Sequence, residues 1–354
     1  MRKNTPPDFW WPTPEERKSF KFWLKSGALF PASLIYGRVV AGRMAENGAD
    51  PEIPVVCVGN FVAGGAGKTP TALALYDVFE DLGLTPAFVT RGYGGRLATT
   101  SFRVDPFHNT AQEVGDEPLL LAEKGPTFVG PERLTSIASA AKFGATCVLF
   151  DDGLQNPAIR KSLTFAVVDA AHGVGNGLCH PAGPLRASVR DQMPFVDVVI
   201  VVGKGNGAQT VVREAAKQGK PILPATLTMD VQDRLRDAKI VAYSGIGHPD
   251  KFFKGLREEG LDVVTTHSFP DHHMFQDEDA DRLLASAEKT GAQLVTTQKD
   301  AVRLARQDGK LAELDIRSTA VSASLTFEDP AYVRSLLRTA ISRWRRDLRL
   351  IEIS

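Results

Sequence analysis

Cysteine is scarce in this chain of 354 residues, with three at Cys57, Cys147 and Cys179. An odd number without a C-x-x-C spacing fits neither a disulfide framework nor a zinc knuckle, and suits a reducing compartment. Cys57 and Cys147 fall in apolar runs, where cysteine behaves as a small buried hydrophobe. Excess charge is lacking too: 42 Lys+Arg meet 42 Asp+Glu. The total therefore gives no reason to expect nucleic acid as a partner. Also missing is an apolar run long enough to cross a bilayer. The longest charge-free stretch near the N-terminus, Ser26 to Gly37, has 12 residues. It would span only ~18 Å as a helix, against a ~30 Å hydrocarbon core. There are no repeats or low-complexity tracts, and no secretory leader is expected, because Asp8, Glu15 and Glu16 interrupt the start.

What is present is an alternation of short apolar strands and helical stretches. Strands are expected at Val55–Val58, Ala87–Thr90, Thr127–Val129, Thr146–Phe150, Thr164–Val168 and Val196–Val202, and helices at Thr71–Leu82, Pro118–Leu121 and Pro131–Phe143. Continuous apolar strands of this length belong to a parallel sheet covered on both faces. The pattern restarts beyond residue 205 with helices near Gln209–Gln218, Phe252–Glu259 and Asp277–Lys289, and strands near Ile240–Tyr243, Asp262–Thr266 and Gln293–Thr297. The expected architecture is α/β: a P-loop NTPase-like doubly wound parallel sheet, a second, smaller α/β lobe, and an N-terminal amphipathic helix. The segments are 1–50, 51–205, 206–325 and a C-terminal helix in 326–354.

Between Phe20 and Ala45, aromatic and aliphatic residues alternate with Lys18, Lys21, Lys25, Arg38 and Arg43 on and around the stretch. Such a basic, aromatic helix suits a membrane surface, or else it packs on its own domain. The basic tail ending in Arg349 reads as a solvated face or a second membrane contact.

Residues 55 to 69 run from a β-branched strand through Gly64, Gly65, Ala66 and Gly67 to Lys68 and Thr69, with Pro70 in the first helical turn. A strand that breaks into glycines and opens a helix aims backbone N–H groups at one point, where Lys68 and the Thr69 hydroxyl converge on a polyphosphate. Val62 stands where the Walker pattern has its first glycine, and Gly64 and Gly65 are expected to supply the missing freedom. Asp151 and Asp152 end an apolar strand some eighty residues later, as a Walker B carboxylate pair does, and with Thr69 form a Mg²⁺ site. Alone, Asp-Asp-Gly is also a plain turn. Asp116 and Glu117 before Pro118 read as helix caps. Arg91 and Tyr93 follow a strand and can meet a phosphate or a sugar hydroxyl. His272 and His273 are metal ligands, a proton relay or loop residues, and Lys299 is expected at the end of a second-lobe strand, facing the cleft.

Taken in order, Gly59-Asn60, the glycine loop through Pro70, Arg91-Gly92-Tyr93-Gly94, Gly115-Asp116-Glu117-Pro118, Asp151-Asp152-Gly153-Leu154-Gln155, Gly175-Asn176-Gly177, Pro181 to Arg186, Gly245-Ile246-Gly247 and Asp271-His272-His273 resemble the tetraacyldisaccharide 4′-kinase family. Asn156 and Gln298 depart from its usual histidine and glutamate. The resemblance implies an ATP- and Mg²⁺-dependent kinase that phosphorylates the 4′-hydroxyl of an acylated glucosamine disaccharide 1-phosphate. It implies a peripheral location on the cytoplasmic face of the inner membrane, with no nucleic acid partner. By carry-over Asp116 is the base, His272 orients or tunes it, Lys68 holds phosphate, Glu117 joins Thr69, Asp151 and Asp152 near the metal, and Arg91 and Tyr93 touch substrate. Because Asp116 and His272 belong to different lobes, closure is expected to bring them together. The rivals are a membrane-associated P-loop ATPase switch, disfavoured by Ala63 where those proteins carry lysine, a soluble small-molecule kinase, and a non-catalytic nucleotide-binding module.

Overall fold

The computed structural model describes residues 7–13, 15–97 and 99–353. The side chains of Lys18, Lys21, Trp23 and Arg349, expected on the basic faces of the two terminal helices, lie outside the described residues. Twelve strands form one sheet: β1 (Val55–Asn60), β2 (Pro86–Thr90), β3 (Phe102–Arg103), β4 (Thr127–Val129), β5 (Cys147–Asp151), β6 (Leu163–Asp169), β7 (Val198–Val202), β8 (Ile222–Asp230), β9 (Lys239–Ser244), β10 (Asp262–Ser268), β11 (Gln293–Thr297) and β12 (Ser318–Phe327). Their spatial order is β10-β9-β11-β12-β8-β7-β6-β1-β5-β2-β4-β3. All neighbours pair in parallel except β3 with β4 and β8 with β12.

The parallel strands at the centre are buried along their whole length, as their unbroken Val, Phe, Ala and Leu content requires when helices cover both faces. Cys57 and Cys147 are fully buried there, and burial pushes both thiols up to about 12. β1 lies between β6 and β5, so the loops leaving the carboxyl ends of β1, β5, β2 and β6 share one edge. That is where open α/β sheets gather ligands.

β8 and β12 escape a reading based on apolar runs. β8 carries Pro224 and leaves most of its residues part-exposed, and the first half of β12 is Ser- and Ala-rich with alternating burial. β12 joins the two halves of the sheet: Ser318–Val321 pair in parallel with β11, and Ser322–Phe327 pair antiparallel with β8.

The N-terminal helix, Phe20–Met44, contains Pro31 and has its polarity turned inside out. Its inward positions are Ser26, Ser33, Gly37 and Met44. Gly37 has no room for a side chain, because a Cβ there would lie 2.9 Å from Cys179 Sγ. Its outward positions include Phe20, Leu24, Phe30, Leu34, Ile35 and Val39, with Ile35 66% exposed. Among the described residues no helix is long and apolar enough to cross a membrane.

Candidate active site

The loop after β1 turns at Gly64 (φ 118°) and Gly67 (φ 90°), left-handed conformations that glycine adopts without steric cost. Gly65 is not among the residues with positive φ, so the freedom expected of it is supplied by Gly67. Val62 is buried and forms an isolated antiparallel bridge with Leu185. The backbone is therefore extended at this position, which explains why glycine is not needed there. Asn60 Nδ2 donates to the Gly64 carbonyl at 3.0 Å, fastening the loop's rim. The helix Lys68–Asp81 begins directly after Gly67, three residues earlier than expected, and brings Lys68 and Thr69 into the nest. Lys68 Nζ lies 3.4 Å from the Gly64 carbonyl and 3.7 Å from Asp152 Oδ1.

Asp151 ends β5 beside β1, is 1% exposed, and has neither carboxylate oxygen hydrogen-bonded. A buried, orphaned carboxylate is costly unless a proton or cation joins it. Burial first, then the charge of Glu117, push its carboxyl up to about 7. Asp152 is different. Burial disfavours its ionisation, but Lys68 and then Arg186 outweigh that and hold it at about 2. Its Oδ2 accepts from Arg186 Nη2 at 2.9 Å, while Oδ1 has no hydrogen-bond donor. Gln155 steadies the arrangement, donating to the Asn60 carbonyl at 2.8 Å and accepting from Arg186 Nη1 at 2.8 Å. Three open carboxylate oxygens beside the glycine loop fit a hard divalent cation, with Thr69, phosphates and water completing the shell. Among the described residues, no group of three His, Cys, Asp or Glu forms a metal cage by itself.

Asp151 has a measurable consequence. Its ionisation is opposed in the folded chain but not in the unfolded one, so the penalty is absent below the ordinary value of 3.8 and grows until about pH 7. Asp151→Asn should therefore stabilise the nucleotide-free protein by on the order of 2–4 kcal/mol above pH 7, fading to nothing near pH 4. Melting curves across pH test this. A difference that ignores pH would dismiss the buried carboxylate as its origin.

The helix Asp116–Lys124 opens with the acidic pair, and Glu117 is near enough to Lys68 to feel its charge. Asp116 is 5% exposed. Its Oδ2 accepts from His272 Nδ1 at 3.1 Å, from Arg303 Nε at 2.9 Å and from Arg303 Nη2, while Oδ1 accepts from the Glu117 amide at 3.0 Å. Burial opposes ionisation, yet His272 and Arg303 drive the carboxyl far below its ordinary range. The same hydrogen bond raises His272 above 6.5. Arg303 is held in turn by Asp300 at 2.8 Å and the Gly245 carbonyl at 2.7 Å. Glu117 accepts from Lys299 at 2.7 Å, and Lys299 lowers its pKa.

The predicted residues thus meet at one sheet edge. Asp116 and His272 are already in contact, so no closure is needed to join them in this structure. His273 points elsewhere, with Nε2 2.7 Å from Asp279 and its ring stacked on Phe269. Tyr93 is exposed, its ring centroid 6.0 Å from that of His272. Arg91 is also exposed. Asn156 accepts from the Ala158 amide at 2.9 Å, shaping its own turn. Lys299 begins a helix, Gln298–Leu304, and does not end a strand. Arg303, one turn on, was not foreseen; the spacing of Lys299, Asp300 and Arg303 on a helix was the available signal. Asp152 and His272 both have positive φ (54° and 55°), strain that gathers at functional sites.

A family model described as tetraacyldisaccharide-1-P 4′-kinase matches residues 26–342. A protein named tetraacyldisaccharide 4′-kinase from Methylorubrum extorquens is 44% identical over 338 residues, covering 96% of this chain and 99% of its own. Another of that name, from Methylobacterium nodulans, is 46% identical over 300 residues, covering 84% and 87%. The crystal structure of LpxK from Aquifex aeolicus in complex with ATP superposes with a TM-score of 0.69 at 21% identity, over 89% of this chain and 99% of that one, and so shares the fold.

Proposed function

Because this chain belongs to the tetraacyldisaccharide 4′-kinase family, we infer that it moves the γ-phosphoryl group of ATP to the 4′-hydroxyl of an acylated glucosamine disaccharide 1-phosphate in lipid A synthesis. The observation that carries the reading at the level of chemistry is the Asp116–His272 pair beside Glu117, whose charge is felt by the open Asp151 carboxylate next to Lys68.

Phosphoryl transfer rests on positioning and charge neutralisation more than on covalent chemistry. Segment 51–205 would hold ATP through Lys68 and the amides of Gly64 to Thr69, with Pro70 fixing the helix start. Thr69, Asp151 and Asp152 would hold Mg²⁺, with Glu117 close by to balance Lys68 and Lys299. When bound, the ion neutralises charge on the β- and γ-phosphates. Segment 206–325 supplies His272, Lys299 and Arg303. Carry-over from the family makes Asp116 the base, and the geometry favours the reverse division of labour. Both Asp116 oxygens are occupied and buried, whereas the His272 side chain is 39% exposed and its Nε2 makes no hydrogen bond, with Asp271 Oδ2 at 3.9 Å. In this reading Asp116 fixes the tautomer and orientation of His272, and Nε2 takes the proton of the sugar hydroxyl. Arg91 and Tyr93 would line the acceptor's approach.

The acceptor is a lipid, so the enzyme must work at a membrane surface. The outward apolar residues of the helix Phe20–Met44 would enter the acyl boundary. Ile35→Glu should cut partition onto lipid vesicles by at least about tenfold, on the cost of losing a buried aliphatic side chain. Unchanged partition would remove the helix from that role. The activity itself is tested by incubating protein, Mg²⁺ and γ-labelled ATP with the disaccharide 1-phosphate in mixed micelles and separating the products by thin-layer chromatography. Label in the lipid is expected. Label only in inorganic phosphate would favour an ATPase switch.

A further inference from the structure

A second basic site lies away from the carboxyl edge. The short helix Val189–Gln192 packs against the N-terminal helix, and beside it a cavity of about 380 Å³ has Leu185 and Val189 in its lining and Arg190, Arg213 and Lys217 around it. Only one carboxylate, Glu214, lines it. That carboxylate is shared: Oε1 accepts from Gln218 at 2.9 Å, and Oε2 lies 3.5 Å from Lys217. Arg213 reaches only the neutral amide of Gln209, at 3.3 Å. Arg190 makes no hydrogen bond or close ion pair among the described residues, though its charge reaches Glu214, which Lys217 and Gln218 already engage. Three cations around one pocket, with one engaged carboxylate between them, leave an uncompensated positive field that an anion would relieve.

We propose that this cavity binds the phosphate headgroup of an anionic glycerophospholipid, held by Arg190, Arg213 and Lys217 beside the docking helix. The guanidinium forks suit phosphate oxygens, and the apolar lining suits the glycerol and first methylenes. A lipid is the better fit than a free phosphate ester because Gly177 of the cavity's lining is two residues from Cys179, which packs against Gly37 of the docking helix. That helix leaves Leu34, Ile35 and Val39 exposed, the residues the docking reading places in the acyl boundary. The inference rests on the docking reading above and adds a lipid preference to it.

The test is vesicle sedimentation of the full chain and of Arg190→Gln/Arg213→Gln. One set of vesicles is phosphatidylcholine, and the other contains about one third phosphatidylglycerol. Each arginine near an anionic surface contributes about fivefold in partition, so the double variant should lose roughly 25-fold on the anionic vesicles and nothing on the neutral ones. Its turnover in neutral detergent micelles should match the parent's, showing that the fold is intact. Equal partition of parent and variant on anionic vesicles overturns the proposal while leaving the docking helix in place. Failure of the parent to bind either vesicle overturns both. If glycerol phosphate in solution binds the parent but not the variant while vesicle partition is the same for both, the occupant is a soluble ester, and the lipid assignment falls.

Discussion

Asp116→Asn is expected to lose two to four orders of magnitude in turnover while keeping its affinity for ATP, the range a positioned acid–base group commands. An asparagine carries no charge to hold an imidazolium and, with its oxygen toward His272 and Arg303, turns an NH₂ donor toward the Glu117 amide, so the anchor of the imidazole is weakened. His272→Gln should fall by a similar factor, and the double variant little further, because the two act as one unit. The pH profile separates the two possible bases. If His272 Nε2 takes the proton, kcat/KM should rise with pH through a value above 6.5, since Asp116 holds the imidazolium. In Asp116→Asn the residual activity should titrate lower, back toward 6.5. A parent profile flat through that range, with Asp116 ionised throughout, would return the role of base to Asp116.

Arg303→Met should be the most destabilising single change at the site. The guanidinium is 1% exposed and bridges Asp116 to Asp300, so its removal strands buried negative charge, at a cost of about 3–5 kcal/mol. Asp300 keeps Ser244, the Gly245 amide and Thr297 as donors, so the burden falls on Asp116. Urea unfolding should therefore show Arg303→Met/Asp116→Asn to be more stable than the sum of the single losses allows. Strict additivity would mean that the two groups do not interact as the geometry indicates.

The phosphate end of this site was legible because it is local. A strand, a glycine turn and a helix write Lys68 and Thr69 within a few residues, and Asp151 and Asp152 follow the same rule on a neighbouring strand. Asp116 was legible only through the family resemblance; by spacing alone it was a helix cap. Arg303 was missed because it lies 187 residues from Asp116 in sequence, on a helix whose first residues, to Asp300, were taken for the end of a strand. Val62 was read as a defect in a motif, though its bridge to Leu185 needs extended backbone there. The N-terminal helix was legible as a helix, but not which side it buries. Its inward face is Ser26, Ser33 and Gly37 along most of its length and apolar only at Met44, against the apolar-inward rule on which periodicity depends.

The strand that joins the two halves has a consequence in time. The core beneath the glycine loop contains Val56, Val58, Leu75 and Phe165, but also Leu325 and Phe327 of β12 and Val333, Leu337 and Ile341 of the last helix. During synthesis, the glycine loop and its helix emerge early and must wait for residues near the far end before the interior beneath them is complete. Until they arrive, β8 presents an unpaired edge, a surface that invites association with other chains. A ribosome stalled before residue 318 should therefore carry a nascent chain that holds the Lys68 motif yet stays open to proteolysis.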